Sequence, residues 1–183
     1  RQIEGNIKTI TIRRSSTNKW FISFSCDNTP VKTVPKTKAE IGIDVGIKHF
    51  LVDSQGNSVD NPKYFRQSEK LLSRRQRNLC RKKKGSNRRK DIRLLVAKVH
   101  EKIVNQRKDF LHKTANKYIN DFQTIYIENL NINGMVKNRH LSKSITDCSW
   151  GMFFNFLSYK AVEAGRTLDP TDRLNLLIPI WKD

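Results

Sequence analysis

Two carboxylates stand out by the company they keep. Asp44 lies in the run Glu40-Ile-Gly-Ile-Asp-Val-Gly-Ile-Lys-His49. On a strand, period two puts Ile41, Ile43 and Val45 on one face and Gly42, Asp44 and Gly46 on the other. Asp44 thus emerges on a face kept bare by two glycines, where a phosphate or metal ion can approach the backbone. Glu128 ends a second alternating run, Thr124-Ile-Tyr-Ile-Glu128, in which Ile125 and Ile127 face one way and Tyr126 and Glu128 the other. If the two runs are sheet neighbours, the acids meet. Two carboxylates in one site repel unless a cation intervenes, and hard oxygen ligands with room for waters suit Mg²⁺ or Mn²⁺. Ions held about 4 Å apart by such groups can activate a water and stabilise the leaving oxygen of a phosphodiester. The pattern predicts metal-dependent phosphodiester hydrolysis, with Asp44 and Glu128 as both catalytic residues and metal ligands. A lone Asp would ordinarily serve as a turn or sheet-edge acid; the flanking glycines and the second acid point further.

A second chemistry is carried by cations. The 183 residues hold 36 Lys+Arg against 17 Asp+Glu, a formal charge of +19. From Arg66 to Tyr118 there are nineteen Lys/Arg against four acids, so this stretch alone carries +15. Seven of the cations, Arg81, Lys82, Lys83, Lys84, Arg88, Arg89 and Lys90, lie within ten residues around Gly85-Ser86-Asn87. Such a cluster repels itself unless it meets a polyanion, and neutralising phosphates releases counterions and makes binding steeply salt-dependent. These residues are predicted to grip a nucleic-acid backbone rather than to read bases. Lys137 and Arg139 add cations to a polar loop from Asn131 to Asp147.

The elements that must position these groups read as follows. Ile7, Thr9 and Thr11 alternate with Lys8, Ile10 and Ile12, a polar turn follows, and Trp20 to Ser25 returns: a β-hairpin. Pro30, Pro35 and three lysines mark a linker. Strands are expected at Glu40 to Val45, Phe50 to Val52 and near Ser58-Val59. Ser68 to Lys84 is predicted to be a helix with Ser68 as N-cap. Ile92, Leu95, Val96, Val99, Ile103, Phe110, Ala115, Tyr118 and Phe122 then recur near a 3.6 period, predicting a long amphipathic helix and so a basic helical hairpin. After the second acidic strand, Trp150 to Ala164 reads as a helix stopped by Gly165. The order β-β-β, helical insertion, β, helix is an α/β layout.

Composition excludes several classes. No apolar run approaches the length of a membrane span. The three cysteines, Cys26, Cys80 and Cys148, have no Cys-x-x-Cys pair, so neither a disulfide framework nor a zinc site is expected. Gly-Ile-Asp-x-Gly also opens the phosphate loops of actin-like and sugar-kinase ATPases, but eight glycines in 183 residues offer no second phosphate turn and no second domain.

Taken in order, several blocks resemble the TnpB (OrfB) proteins of insertion sequences, relatives of type V CRISPR nucleases. They are Glu40 to His49, Asn61-Pro-Lys-Tyr64, Ser73-Arg-Arg-Gln-Arg-Asn-Leu-Cys-Arg-Lys-Lys-Lys-Gly85, His100 to His112, Ile127-Glu-Asn-Leu130, Gly134-Met-Val-Lys-Asn138 and Ser149-Trp-Gly151. The resemblance runs from about residue 38 to 168. It implies an RNase H-like (RuvC) mixed sheet over residues 37–168 with the helical insertion at 66–122, preceded over 1–36 by a β-hairpin from a wedge-like (OB-like) domain and its linker. It also implies an RNA-guided DNA endonuclease, dependent on Mg²⁺ or Mn²⁺, with guide RNA and target DNA as partners and no membrane, working in the prokaryotic cytoplasm. Asp44 matches the family's first RuvC acid and Glu128 its second. The basic hairpin would lie against the guide or the heteroduplex.

Departures from the family pattern shape the remaining expectations. The family's next strand, four-cysteine zinc ribbon and third catalytic Asp have no counterpart after Gly165. Asp169-Pro170 is expected to interrupt the strand, and residues 169–183 form an atypical tail in which Asp169, Asp172 and Asp183 are poor substitutes for the third acid. The chain opens on Arg1 without Met and reads as truncated at both ends. The alternative to an active nuclease is a nuclease-incompetent remnant that binds RNA or DNA.

Overall fold

The computed structural model describes residues 3–30 and 34–171. The expectations for Asp172 and Asp183 lie outside them. Two compact units divide the chain: Arg1–Lys32 with Gln67–Gln106, and Thr33–Arg66 with Arg107–Asp183.

In the first unit, β1 (Asn6–Arg14) and β2 (Trp20–Asp27) form the antiparallel hairpin. Ile10 pairs with Phe24 and Ile12 with Ile22, which gathers the large apolar residues on one face. A bulge after Ile7 pairs that residue with Cys26, so Ile7 joins the Ile10/Ile12 face rather than that of Thr9 and Thr11. The same unit holds most of α1 (Tyr64–Cys80) and the first part of α2 (Asn87–Asp121). The hairpin turn is fastened to α2 by Glu101, whose carboxylate accepts from Thr17 Oγ1 at 2.9 Å and Lys19 Nζ at 3.0 Å.

The second unit is built on a mixed five-stranded sheet ordered β5-β4-β3-β6-β7. Its strands are β3 (Glu40–Val45), β4 (His49–Asp53), β5 (Ser58–Asp60), β6 (Thr124–Glu128) and β7 (Thr167–Thr171). β4 runs antiparallel to β3 and β5, whereas β6 is parallel to β3 and β7 parallel to β6. A tight turn makes the β3–β4 reversal, with Gly46 N–H donating to Phe50 O; a Cβ at Gly46 would meet His49 O at 3.1 Å. The rest of α2 returns the chain to β6, and α5 (Trp150–Ala164) leads into β7. Leu111, Ala115, Tyr118 and Ile119 of α2 fall at helical spacing and are buried with Ile41, Ile43, Phe50, Ile125, Phe153 and Leu157. Phe50 meets the rings of Phe110 and Phe153 edge-on, at 5.0 and 5.1 Å. Burying each such large side chain stabilises the unit by roughly 1.5–3 kcal/mol.

Three expectations are corrected. First, α1 starts at Tyr64, not after a Ser68 cap, because a distant residue supplies the cap: the Asp147 carboxylate accepts from the N–H groups of Phe65 (3.0 Å) and Arg66 (3.3 Å). It also ends at Cys80, and the turn after it is closed by Arg89, whose Nη1 donates to the carbonyls of Leu79 (2.7 Å) and Lys82 (3.1 Å). Second, the polar segment after β6 is not all loop. It holds α3 (Ile132–Val136), capped by Asn131, and α4 (Ser142–Cys148), which buries Ile145 and Cys148. Third, Asp169-Pro170 does not break the strand. Thr167 N–H donates to Gln123 O and Asn129 N–H to Thr171 O, so the odd-numbered residues of β7 face β6. Pro170, lacking an N–H, sits on the side of β7 turned away from β6, and among the described residues β7 is an edge strand, where no such donor is needed.

Candidate catalytic and nucleic-acid-binding site

Parallel pairing of β3 with β6 sets the relation of the two acids. Glu40 pairs with Thr124, Ile41 with Ile125, Gly42 with Tyr126 and Ile43 with Ile127. The next step in that register brings Asp44 beside Glu128. Across the sheet, this row continues to Val52 of β4 on one side and Thr171 of β7 on the other. Both acids are partly exposed at the carboxyl-terminal ends of their strands, and on each the flanking isoleucines are buried beneath. One residue pair back on the same face, Gly42 of β3 lies next to Tyr126, whose hydroxyl donates to Glu40 at 3.2 Å. Asp169 faces Tyr126 from β7, outside the Asp44/Glu128 row.

Two hard oxygen donors on adjacent strands fit an Mg²⁺ or Mn²⁺ ion that keeps several of its waters. Among the described residues, no three His, Cys, Asp or Glu side chains gather to hold one ion.

The predicted cations fall in two places. Arg81, Lys83, Lys84, Arg88 and Lys90 are exposed at the α1–α2 connection, and Lys82 is half-buried. Arg89 stands apart from these, since its guanidinium is engaged on the carbonyls that end α1. In the second unit, Lys137 and Arg139 are exposed on the connection between α3 and α4, which leaves the sheet at the end where Glu128 emerges.

Sequence reasoning assigned no role to a group at the start of α1. Asn61 Nδ2 donates to Ile47 O at 3.1 Å and contacts Cys148 Sγ at 3.1 Å, while its Oδ1 accepts from Lys63 N–H. Lys63 takes a left-handed backbone (φ 50°). Beside it, the nearly inaccessible Asp147 carboxylate, already receiving two N–H groups of α1, pairs with Arg107 at 3.0 Å. Burial pushes the Cys148 thiol up to about 11. The only trace of this group in the sequence was the Asn61-Pro62-Lys63-Tyr64 block.

The decisive comparison is with sequence families: the pattern of the OrfB_IS605 family, described as "Probable transposase", matches residues 23–139, more than half of the chain. The chain belongs to the OrfB (TnpB) transposase family. Among OrfB relatives, a "Putative RNA-guided DNA endonuclease" of Streptomyces pristinaespiralis is 38% identical over 165 residues, covering 90% of this chain and 41% of that protein. The "Putative RNA-guided DNA endonuclease InsQ" of Escherichia coli (strain K12) is 28% identical over 180 residues, covering 90% and 44%. This OrfB chain therefore spans less than half the length of either relative. A chain in the cryo-EM structure of the Cas12f1-sgRNA-target DNA complex aligns with a TM-score of 0.48 at 18% identity, over 89% of this chain and 41% of that one. Among the described residues, no helix is long and apolar enough to cross a membrane.

Proposed function

We propose that this chain is the sheet-bearing part of an RNA-guided DNA endonuclease and that Asp44 and Glu128 are its catalytic, metal-binding acids. The observation that carries the reading is the parallel register that sets these two acids side by side at one end of the sheet. Support comes also from sheet order. Renumbered within the sheet it is 3-2-1-4-5 with the second strand antiparallel, the topology expected of an RNase H-like (RuvC) fold. The first hairpin fits the end of a wedge-like domain. The names of the family relatives point to RNA-guided DNA cleavage, and the proposed partners are accordingly guide RNA and target DNA.

When bound, Mg²⁺ or Mn²⁺ supplies Lewis-acid activation of water and charge stabilisation at the scissile phosphate. The chain's own residues do the positioning. Asp44 and Glu128 present their carboxylates from the ends of adjacent strands, where both remain partly exposed. Exposed Arg81, Lys83, Lys84, Arg88 and Lys90 neutralise phosphates of the guide or its duplex, fixing register without reading bases. Arg89 holds that turn in shape.

Plasmid cleavage with cognate guide RNA and Mg²⁺ tests the reading. The parent chain is expected to give cut products and Asp44→Ala to lose at least 100-fold in rate, the scale expected for removing a principal transition-state electrostatic group. Equal background products from both would reject cleavage and leave nucleic-acid binding as the chain's activity.

A further inference from the structure

A cleft of about 260 Å³ opens in the second unit, lined by Ile47, Asn61, Lys63, Arg66, Ser144 and Asp147. Ile47 lies in the turn that leaves β3 just after Asp44, so the cleft flanks the sheet end where the acids emerge. Its charges are not balanced within it. Asp147 is spent: its carboxylate receives two N–H groups of α1 and pairs with Arg107 outside the lining. Lys63 and Arg66 therefore leave the cleft electropositive, and both side chains are exposed to an incoming ligand. Arg66 Nη2 donates to Ser144 Oγ at 3.3 Å, which leaves the serine hydroxyl hydrogen to donate onward. Asn61 fixes the frame, tying the turn at Ile47 to the start of α1 and holding Lys63 in its left-handed conformation. Two cations and a hydroxyl donor around an opening with an Ile47 wall match a phosphodiester with its sugar alongside.

We infer that Lys63, Arg66 and Ser144 form a subsite for a backbone phosphate of the DNA strand that reaches the Asp44/Glu128 end of the sheet. The inference rests on the nuclease reading for the identity of the strand, but its test does not depend on cleavage.

Binding of a fluorescein-labelled single-stranded oligodeoxynucleotide is measured by anisotropy in EDTA across a KCl series, with the full chain. Removing two phosphate contacts by Lys63→Ala/Arg66→Ala is expected to make the slope of log K against log salt shallower by about 1.4, and to weaken binding on the order of tenfold at low salt. Ser144→Ala is expected to cost about threefold, the scale of a single modest hydrogen bond. Because EDTA removes the divalent ions that cleavage needs, the binding readout is independent of cutting, so loss of the nuclease reading and loss of the subsite are read separately. Neutral methylphosphonates placed singly along the oligonucleotide locate the phosphate. One position must weaken the parent and leave the double variant unmoved, a result that a merely structural role for Arg66 does not produce. If the double variant melts early, Lys63→Gln, which retains the backbone bond to Asn61, should still lower the slope by about 0.7. An unchanged slope in folded variants, or a loss seen with RNA of the same sequence but not with DNA, overturns the assignment.

Discussion

Asp147 shows what a single residue can do across the chain. Three donors from two segments converge on its carboxylate, from Phe65, Arg66 and Arg107. A local reading put the start of the helix at Ser68, since Ser is a favoured N-cap and a long run without Gly or Pro follows. The true cap lies about eighty residues away, beyond any local signal. The strand positions of Asp44 and Glu128, by contrast, were legible because period-two alternation is a local property. Asp147→Ala leaves the half-buried Arg107 guanidinium and two α1 N–H groups without their acceptor. It is expected to lower unfolding free energy by about 3–5 kcal/mol in urea titrations, and Asp147→Asn, which keeps one acceptor oxygen, by less. A loss within experimental error would show that the cap is dispensable.

At the scale of elements, strand pairing was legible where alternation was clean and failed where a rule met an exception. β3 and β6 read correctly from their buried isoleucines. β7 did not, because a proline normally argues against a strand, and only the edge position and outward parity of Pro170 reconcile it. The two short helices after β6 were hidden by a polar composition that a few buried apolar residues, Ile145 and Cys148 among them, suffice to anchor. The attachment of the β1–β2 turn to α2 by Glu101 joins residues more than eighty apart, so it too left no local trace. Hydrogen bonds from Lys19 and Thr17 hold the Glu101 carboxyl below its usual range. A lowered folded-state pKa means that the stabilisation is present above the ordinary carboxylate pKa and is lost as pH falls through the lowered one. The protection factors of the hairpin-turn amides, meaning NMR exchange rates corrected for the intrinsic pH dependence of exchange, are therefore expected to fall on acidification below about pH 4.5 in the parent. In Glu101→Gln they should already be lower at pH 7 and then flat with pH. The same acid-induced change in both proteins would remove Glu101 from the account.

For the whole molecule, the +19 charge resolves into parts with different work. Most of it belongs to the helical segment, where exposed cations crowd the α1–α2 connection. Other cations are structural. Arg89 ends α1, and the buried Arg166 donates to the carbonyls of Ile119 and Pro35 and to Gln123, which ties the end of α2 to the strand that follows α5. Net charge pointed to a polyanion, but only coordinates separate cations that face outward from cations that close helices. The compact units divide within α1 and α2, which each begin in one unit and end in the other, and no local signal marks a division inside a helix. The central claim is that Asp44 and Glu128 act together on one divalent ion. Mn²⁺ titration followed by electron paramagnetic resonance tests it on the parent, Asp44→Asn and Glu128→Gln. The account predicts saturable Mn²⁺ binding by the parent, weakened at least tenfold by either substitution, with no further loss in the double variant beyond nonspecific association. Superimposable isotherms for all the proteins would contradict it.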